Sequence, residues 1–103
     1  MVTLNVIYPA TEGTYFDRDY YRDHHLPLVR ENWTPLGLRS LSAAFVESAL
    51  GGGEAAYHCI ATLEFESREA FDAAVGGPTA AAVFGDIPKF TDATAVGAVG
   101  VAA

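Results

Sequence analysis

The chain has 103 residues, half of them hydrophobic and 18% charged, and its 13 acidic and 6 basic side chains give a formal net charge of −7. This length suits one domain with one hydrophobic core, so we treat residues 1–103 as a single domain. The charge argues against nucleic acid and anionic membranes as partners, because both bind clustered Lys and Arg. No segment has the pattern of a secretory signal or the ~20 apolar residues of a bilayer span, so we expect a cytoplasmic protein.

The first third of the chain predicts a strand followed by a helix. Residues 2–8 alternate between two faces and are closed by Pro9, which is strand periodicity. Residues 16–33 have helical periodicity, and Asp17 and Asp19 stand near the start, where a helix dipole favours negative charge.

The remaining two thirds predict three strands and a second helix. Residues 38–48 and 57–65 are strand-like and flank the glycine-rich loop LGGGEAA. Ser67 suits the N-cap of a helix, and Pro78 suits the first position of a second helical piece. Residues 93–101 alternate small and β-branched side chains, which predicts a last strand.

The order β-α-β-β-α-β is that of the ferredoxin-like fold, an α+β class in which two helices cover one face of a four-stranded antiparallel sheet. The uncovered face would include His58, Ile60, Thr62 and Glu64 of the third strand, with Ile7 from the first. This mixture is too apolar for a face left in water. We therefore expect a homodimer packed sheet to sheet.

Two adjacent histidines occur in the first predicted helix. With 100° between successive residues, an inward stripe comprises Phe16, Tyr20, His24 and Leu28. An ideal helix thus makes His24 central and His25 marginal. Pro27, however, cannot donate to the carbonyl of Asp23 and is expected to kink the helix, so the phase beyond that point is open. The pattern alone does not choose between the two rings.

Several groups near the histidines could support proton transfer. A histidine with a pKa of roughly 6.5 accepts and returns a proton at neutral pH. Tyr20 or Tyr21 could orient the ring or donate to a substrate carbonyl. Asp86, between a helix and the turn at Pro88, is a plausible partner that would raise the basicity of an imidazole. The alternative is that these rings only fill space.

The remaining motifs give only weak indications of a metal, phosphate or cofactor site. The histidines and the single cysteine, Cys59, lack the spacing of metal ligands, so we predict no metal site and interpret Cys59 as a buried strand residue. The loop GGGE lacks the Lys and Ser/Thr of a phosphate loop, and no Rossmann glycine signature occurs. We therefore expect no tightly bound cofactor.

The runs FDRDYYRDHHLPLV and GDIPKFTD resemble the EthD-like family, named for ethyl tert-butyl ether degradation. The shared motifs are Tyr8-Pro9, the H-x-P of residues 25–27, the W-x-x-x-G of residues 33–37 and the D-I-P-x-F of residues 86–90. The resemblance implies a dimeric α+β barrel of ferredoxin-like subunits, each with a pocket between helices and sheet. The family histidine precedes x-Pro, which favours His25 over His24.

These observations support two functional hypotheses. The first is an enzyme of catabolic or secondary metabolism that acts on an apolar or aromatic carbonyl-bearing compound by proton transfer or a linked oxidation. Its general acid/base would be His25, supported by Tyr21, His24 and Asp86, and its expected substrate contacts are Tyr8, Tyr20, Trp33 and Phe90. The second is a non-catalytic dimer that sequesters a catabolic intermediate or assists an oxygenase.

Overall fold

A four-stranded antiparallel sheet carries the helices on one of its faces, and the computed structural model describes all 103 residues. The strands are β1 (Val2–Pro9), β2 (Leu38–Phe45), β3 (Tyr57–Phe65) and β4 (Val96–Val101), and they lie in the order β2-β3-β1-β4. This confirms the predicted ferredoxin-like arrangement. No helix combines the length and apolar character needed to cross a bilayer.

The helices form two groups between the strands. The first runs without a break through α1 (Arg18–Tyr20), a π-helical turn (Tyr21–His25), α2 (Leu26–Trp33) and a 3₁₀ turn (Thr34–Leu36). The second consists of α3 (Arg68–Val75), α4 (Ala80–Gly85) and a 3₁₀ turn (Ile87–Lys89), which confirms the two-piece prediction.

The helix starts are fixed by side-chain caps. Asp17 accepts a hydrogen bond from the backbone N–H of Tyr20 at 3.0 Å, and Ser67 accepts one from that of Ala70 at 3.1 Å. Ser67 is the predicted cap. Each cap satisfies an N–H group that has no partner within the helix.

Two predicted strand boundaries were wrong. The second strand ends at Phe45 rather than at residue 48, and β4 begins at Val96 rather than at residue 93. The late start has a tertiary cause, because Thr91 forms an isolated bridge with Phe16 and its hydroxyl donates to the carbonyl of Tyr15 at 2.6 Å. These bonds tie the segment to the chain before the first helix and keep it out of the sheet.

The core lies between the sheet and the helices. Val2, Leu4 and Tyr8 are buried on this face, as their alternation predicts, and Cys59 is fully buried beside them. Gly37 follows the 3₁₀ turn with a φ of 113°, and a Cβ placed there would stand 2.6 Å from the Cβ of Ala70. This position therefore needs glycine both for its backbone conformation and for space.

The other face of the sheet has no covering element. Strand pairing places Ile7, Ile60, Ala44 and Val96 in one row across it, because partners in an antiparallel ladder share a face. Polar groups on the same face pair with one another, as Thr62 Oγ1 does with Asn5 Oδ1 at 3.0 Å.

Candidate functional site

The π-helical turn decides which histidine faces the interior. The N–H of Leu26 bonds to the carbonyl of Tyr21, five residues back, so this turn holds one residue more than an α-turn. As a result His25 is 4% exposed, whereas His24 lies exposed against the ring of Tyr20. The prediction from an ideal helix that His24 faces the interior is therefore wrong. Pro27 follows directly after this turn inside the continuous helical run and has no N–H to donate, so the irregular turn lies where the proline removes a helical hydrogen bond.

His25 is joined to Asp86 across the helical layer. Its Nδ1 lies 2.9 Å from Asp86 Oδ2, and the hydroxyl of Tyr20 donates to Asp86 Oδ1 at 2.8 Å. Asp86 is 6% exposed and stands at the end of α4, just before the 3₁₀ turn. The ammonium of Lys89, one turn later, lies 3.9 Å from the same carboxylate. The carboxylate thus accepts two hydrogen bonds and lies at ion-pair distance from one ammonium group.

The protonation states follow from these contacts. Burial lowers the pKa of His25 below its ordinary value, and the hydrogen bond to Asp86 offsets only part of that effect. For Asp86 burial acts to raise the pKa, but the hydrogen bonds from His25 and Tyr20 outweigh it, so the pKa is lowered. At neutral pH the pair is a neutral imidazole and a carboxylate. The imidazole proton is on Nδ1, and Nε2 carries a free lone pair.

Aromatic rings surround the imidazole. Tyr21 stacks on His25 with the ring centroids 5.3 Å apart, and the tilted ring of Phe90 has its centroid 4.6 Å from that of the imidazole. Tyr8 packs edge-on against Tyr21 and Phe90. Burial raises the pKa of Tyr21, so its hydroxyl keeps its proton at neutral pH. The shell therefore limits the ring to one orientation and keeps water away from most of it.

An apolar cavity lies against His25, between the first helix and the sheet. Its volume is about 30 Å³, room for one or two water molecules, and 12 of its 13 lining residues are hydrophobic. His25 is the remaining one. The wall along the first helix comprises Tyr21, His25, Leu26, Val29 and Trp33, and the sheet contributes Val6, Tyr8, Leu41, Ala61 and Leu63. The group able to exchange protons near neutral pH therefore stands alone in an apolar wall.

The comparison with protein families identifies the chain. The model described as the EthD domain matches residues 14–94. The chain belongs to the EthD family. The matched range includes the whole first helix and the end of α4, and thus both His25 and Asp86.

Solved structures of EthD proteins share the fold. An EthD-like protein of Ralstonia eutropha is 29% identical, with 96% of this chain and 88% of that chain covered and a TM-score of 0.86. An EthD family protein of Bacillus halodurans is 21% identical, with 100% and 99% covered and a TM-score of 0.79. A dimeric ferredoxin-like protein of unknown function from Thermobifida fusca is similar in fold at 12% identity, with 98% and 90% covered and a TM-score of 0.63. The search of curated proteins returned no match.

The structure brings most of the predicted site residues of this EthD chain together. Tyr8, Tyr21, His25 and Trp33 line the cavity. Asp86, Tyr20 and Phe90 lie behind the imidazole and contact each other or the ring. His24 alone is outside this group.

Sequence reasoning missed part of the cavity wall. Val29 is four residues after His25 and shares its face, a signal that becomes usable once His25 is known to point inward. Phe84 and Ile87 enter the wall from α4 and the turn after it, and no sequence signal aims them there. His58 does not line the cavity; its Nε2 lies 2.9 Å from Thr14 Oγ1 and its ring stacks on Phe16.

Proposed function

We propose that this EthD protein binds an apolar or aromatic compound bearing a carbonyl group and transfers a proton at the carbon next to that carbonyl, without a tightly bound cofactor. The observation that carries the proposal is the neutral His25, held by the buried Asp86 in the wall of an otherwise apolar cavity. The apolar wall favours a weakly polar ligand, which would enlarge this small space by displacing the half-exposed ring of Phe84 at its edge. One base is all that proton transfer requires of the wall.

The reaction starts at Nε2 of His25. This nitrogen takes the proton from the carbon beside the carbonyl, and the electron pair of the broken C–H bond moves into an enolate. The imidazolium that forms is stabilised by the Asp86 carboxylate, which accepts from Nδ1 at 2.9 Å. Where the ligand has a C=C bond between its β and γ carbons, the enolate is a dienolate, and return of the same proton to the γ carbon moves the double bond into conjugation with the carbonyl. This isomerisation involves no net gain or loss of atoms or electrons.

The neighbouring side chains position this base. Tyr20 donates to the second oxygen of Asp86 and fixes the plane of the carboxylate. Tyr21 stacks on His25 and also lines the cavity, where its protonated hydroxyl is a candidate donor to the ligand carbonyl. A linked oxidation would begin from the same enolate and would need dioxygen as a second substrate.

The partner we propose for the uncovered sheet face is a second copy of this chain. On this face Ile7, Ile60, Ala44 and Val96 form an apolar row, with Glu64 as the acidic side chain of β3. His58, which was predicted to lie on this face, stands instead at the irregularity of the β1–β3 pairing and stacks on Phe16. Covering it therefore removes apolar area from water at little electrostatic cost. The dimeric description of the Thermobifida fusca protein, similar in fold alone, is consistent with this arrangement. Sedimentation of the wild-type protein measures it directly.

Hydrogen exchange on the ligand tests the proton transfer. The protein is incubated in D₂O with a panel of aryl ketones, enones and lactones, and loss of the α-proton signal is followed by NMR. We expect the wild type to accelerate exchange for one class, and His25→Gln to lower that rate by about 100- to 10,000-fold. The matched control is His24→Gln, which changes the adjacent exposed ring and should keep the wild-type rate.

The outcomes separate the two functional hypotheses. Loss of exchange in His25→Gln with unchanged ligand affinity supports the enzyme. Saturable binding without exchange, in the wild type as in both variants, would mean that the protein is a binding or accessory module. Absence of binding by every compound would refute the cavity as a ligand site of this class.

A further inference from the structure

A second apolar space adjoins the cavity on the side of α4. This cleft lies between the helices α3 and α4 and the strands β1 and β4, and its volume is about 350 Å³. Seven of its eight lining residues are hydrophobic and the eighth is Gly97. No side chain in its wall is charged or can form a hydrogen bond, so the space is suited only to hydrocarbon.

The cleft and the cavity share part of their walls. Val6, Phe84 and Ile87 line both spaces. Phe84 is 42% exposed, and its other face packs edge-on against Trp33 of the cavity at 5.7 Å. Side chains, and not backbone, therefore separate the two spaces at this point. A half-exposed phenyl ring changes rotamer much more easily than a packed strand moves.

We propose that the cleft is a second lobe of the ligand site, which takes the aliphatic or aryl tail of the compound whose carbonyl end lies beside His25, with Phe84 as the partition between the lobes. This inference rests on the proposed function, because it assumes that the carbonyl end occupies the cavity. It adds the substrate class: compounds with one polar end and an extended, uncharged apolar tail.

Gly97 supplies a substitution that fills the cleft alone. It pairs with Val6 on the helix-facing side of β4 and does not line the cavity. A Cβ built there meets only the Cδ1 of Leu4, at 3.6 Å, which is ordinary contact. Valine also suits a strand better than glycine does. Gly97→Val should therefore fold and place two methyl groups in the cleft.

Gly100 on the same strand provides the matched control. It pairs with Thr3 on the opposite face of the sheet, and no atom lies within 4 Å of a Cβ built there. Gly100→Val makes the same chemical change away from the cleft. Sedimentation of both variants checks that their state of association equals that of the wild type.

The experiment measures affinity along a series of phenyl alkyl ketones whose alkyl chain grows from one to eight carbons. Trp33 is the single tryptophan and lines the cavity, so its fluorescence reports binding of the carbonyl end. In the wild type and in Gly100→Val we expect the dissociation constant to fall by about fourfold for each methylene that enters the cleft. In Gly97→Val this dependence should be lost, while acetophenone binds as it does to the wild type.

Each result has one meaning. An equal dependence on chain length in Gly97→Val and the wild type would overturn the second lobe. A wild-type affinity that does not change with chain length would also overturn the second lobe. If acetophenone still binds in that case, the proposed function stands without the lobe. If no ketone binds and none undergoes exchange, the proposed function fails together with the inference.

Discussion

The substitution Asp86→Asn isolates the contribution of one buried charge to the candidate site. The side chain keeps its shape, but the carboxylate that favours the imidazolium form of His25 is lost while the burial that disfavours it remains. The pKa of His25 is already lowered by burial. We therefore expect it to fall further in the variant.

The expected loss of stability follows from two contacts. Asp86 accepts from His25 at 2.9 Å and from Tyr20 at 2.8 Å. Hydrogen bonds to a charged group contribute about 1.5–3 kcal/mol each. In asparagine the amide oxygen can accept from His25 and the NH₂ group can donate to the hydroxyl of Tyr20, so both contacts become neutral hydrogen bonds, which contribute only about 0.5–1.5 kcal/mol each. The free energy of unfolding at pH 7.5 should therefore fall by about 2–4 kcal/mol.

Two measurements check this prediction. NMR titration follows the ring protons of His25, and urea denaturation gives the free energy of unfolding. The matched control is Asp92→Asn, because Asp92 is exposed and accepts a single hydrogen bond from the backbone N–H of Tyr15 at 2.9 Å. That variant should change stability by less than about 1 kcal/mol and leave the His25 titration unchanged. A pKa of His25 that stays constant or rises in Asp86→Asn would refute the reasoning.

Two further predictions concern the dependence of stability on pH and on the backbone conformation at Gly37. The pKa values of His25 and Asp86 are both lowered in the fold. The free energy of unfolding should therefore be highest above the ordinary histidine pKa of 6.5, fall as the pH drops below it, and fall further below the ordinary aspartate pKa of 3.8. Urea denaturation at pH 8, 6 and 4.5 measures this, and a free energy of unfolding that increases towards pH 4.5 would contradict it. Gly37→Ala should lower the free energy of unfolding by about 1–3 kcal/mol more than Gly13→Ala does. Both positions have a positive φ, but only Gly37 lacks space for a Cβ. Equal decreases in melting temperature for the two variants would disprove this.

Most elements of this fold are encoded by local signals. The alternation of Val2, Leu4 and Tyr8 requires only that one side of a strand be buried, and Ser67 marks a helix start because its hydroxyl replaces a missing backbone partner. Such signals act within a few residues and are readable without tertiary structure. The boundaries of β2 and β4 were not readable in this way. The start of β4 depends on a bridge between Thr91 and the distant Phe16.

The site was predictable in its residues but not in its geometry. The D-I-P-x-F and H-x-P motifs indicated Asp86 and His25, yet residues 61 positions apart carry no sequence signal of a 2.9 Å contact. The helical phase failed at a single turn, because the 100° rotation per residue assumes i to i+4 hydrogen bonds and the turn at Tyr21–His25 uses i to i+5 bonds. Tyr20 lies just before that turn and is partly buried, with its hydroxyl on Asp86.

The π-helical turn also affects how this helix must be aligned with the helices of other chains. Where another chain has a plain α-turn at this place, the residues on either side correspond only if one position is skipped. An alignment without a gap inside the helix, counted forward from β1, would therefore pair His25 with the wrong residue of such a chain. Counting back two positions from Pro27 remains correct, because His25 is the last residue of the π-helical turn and regular α-helix follows it. The proline thus serves as the alignment landmark for the histidine.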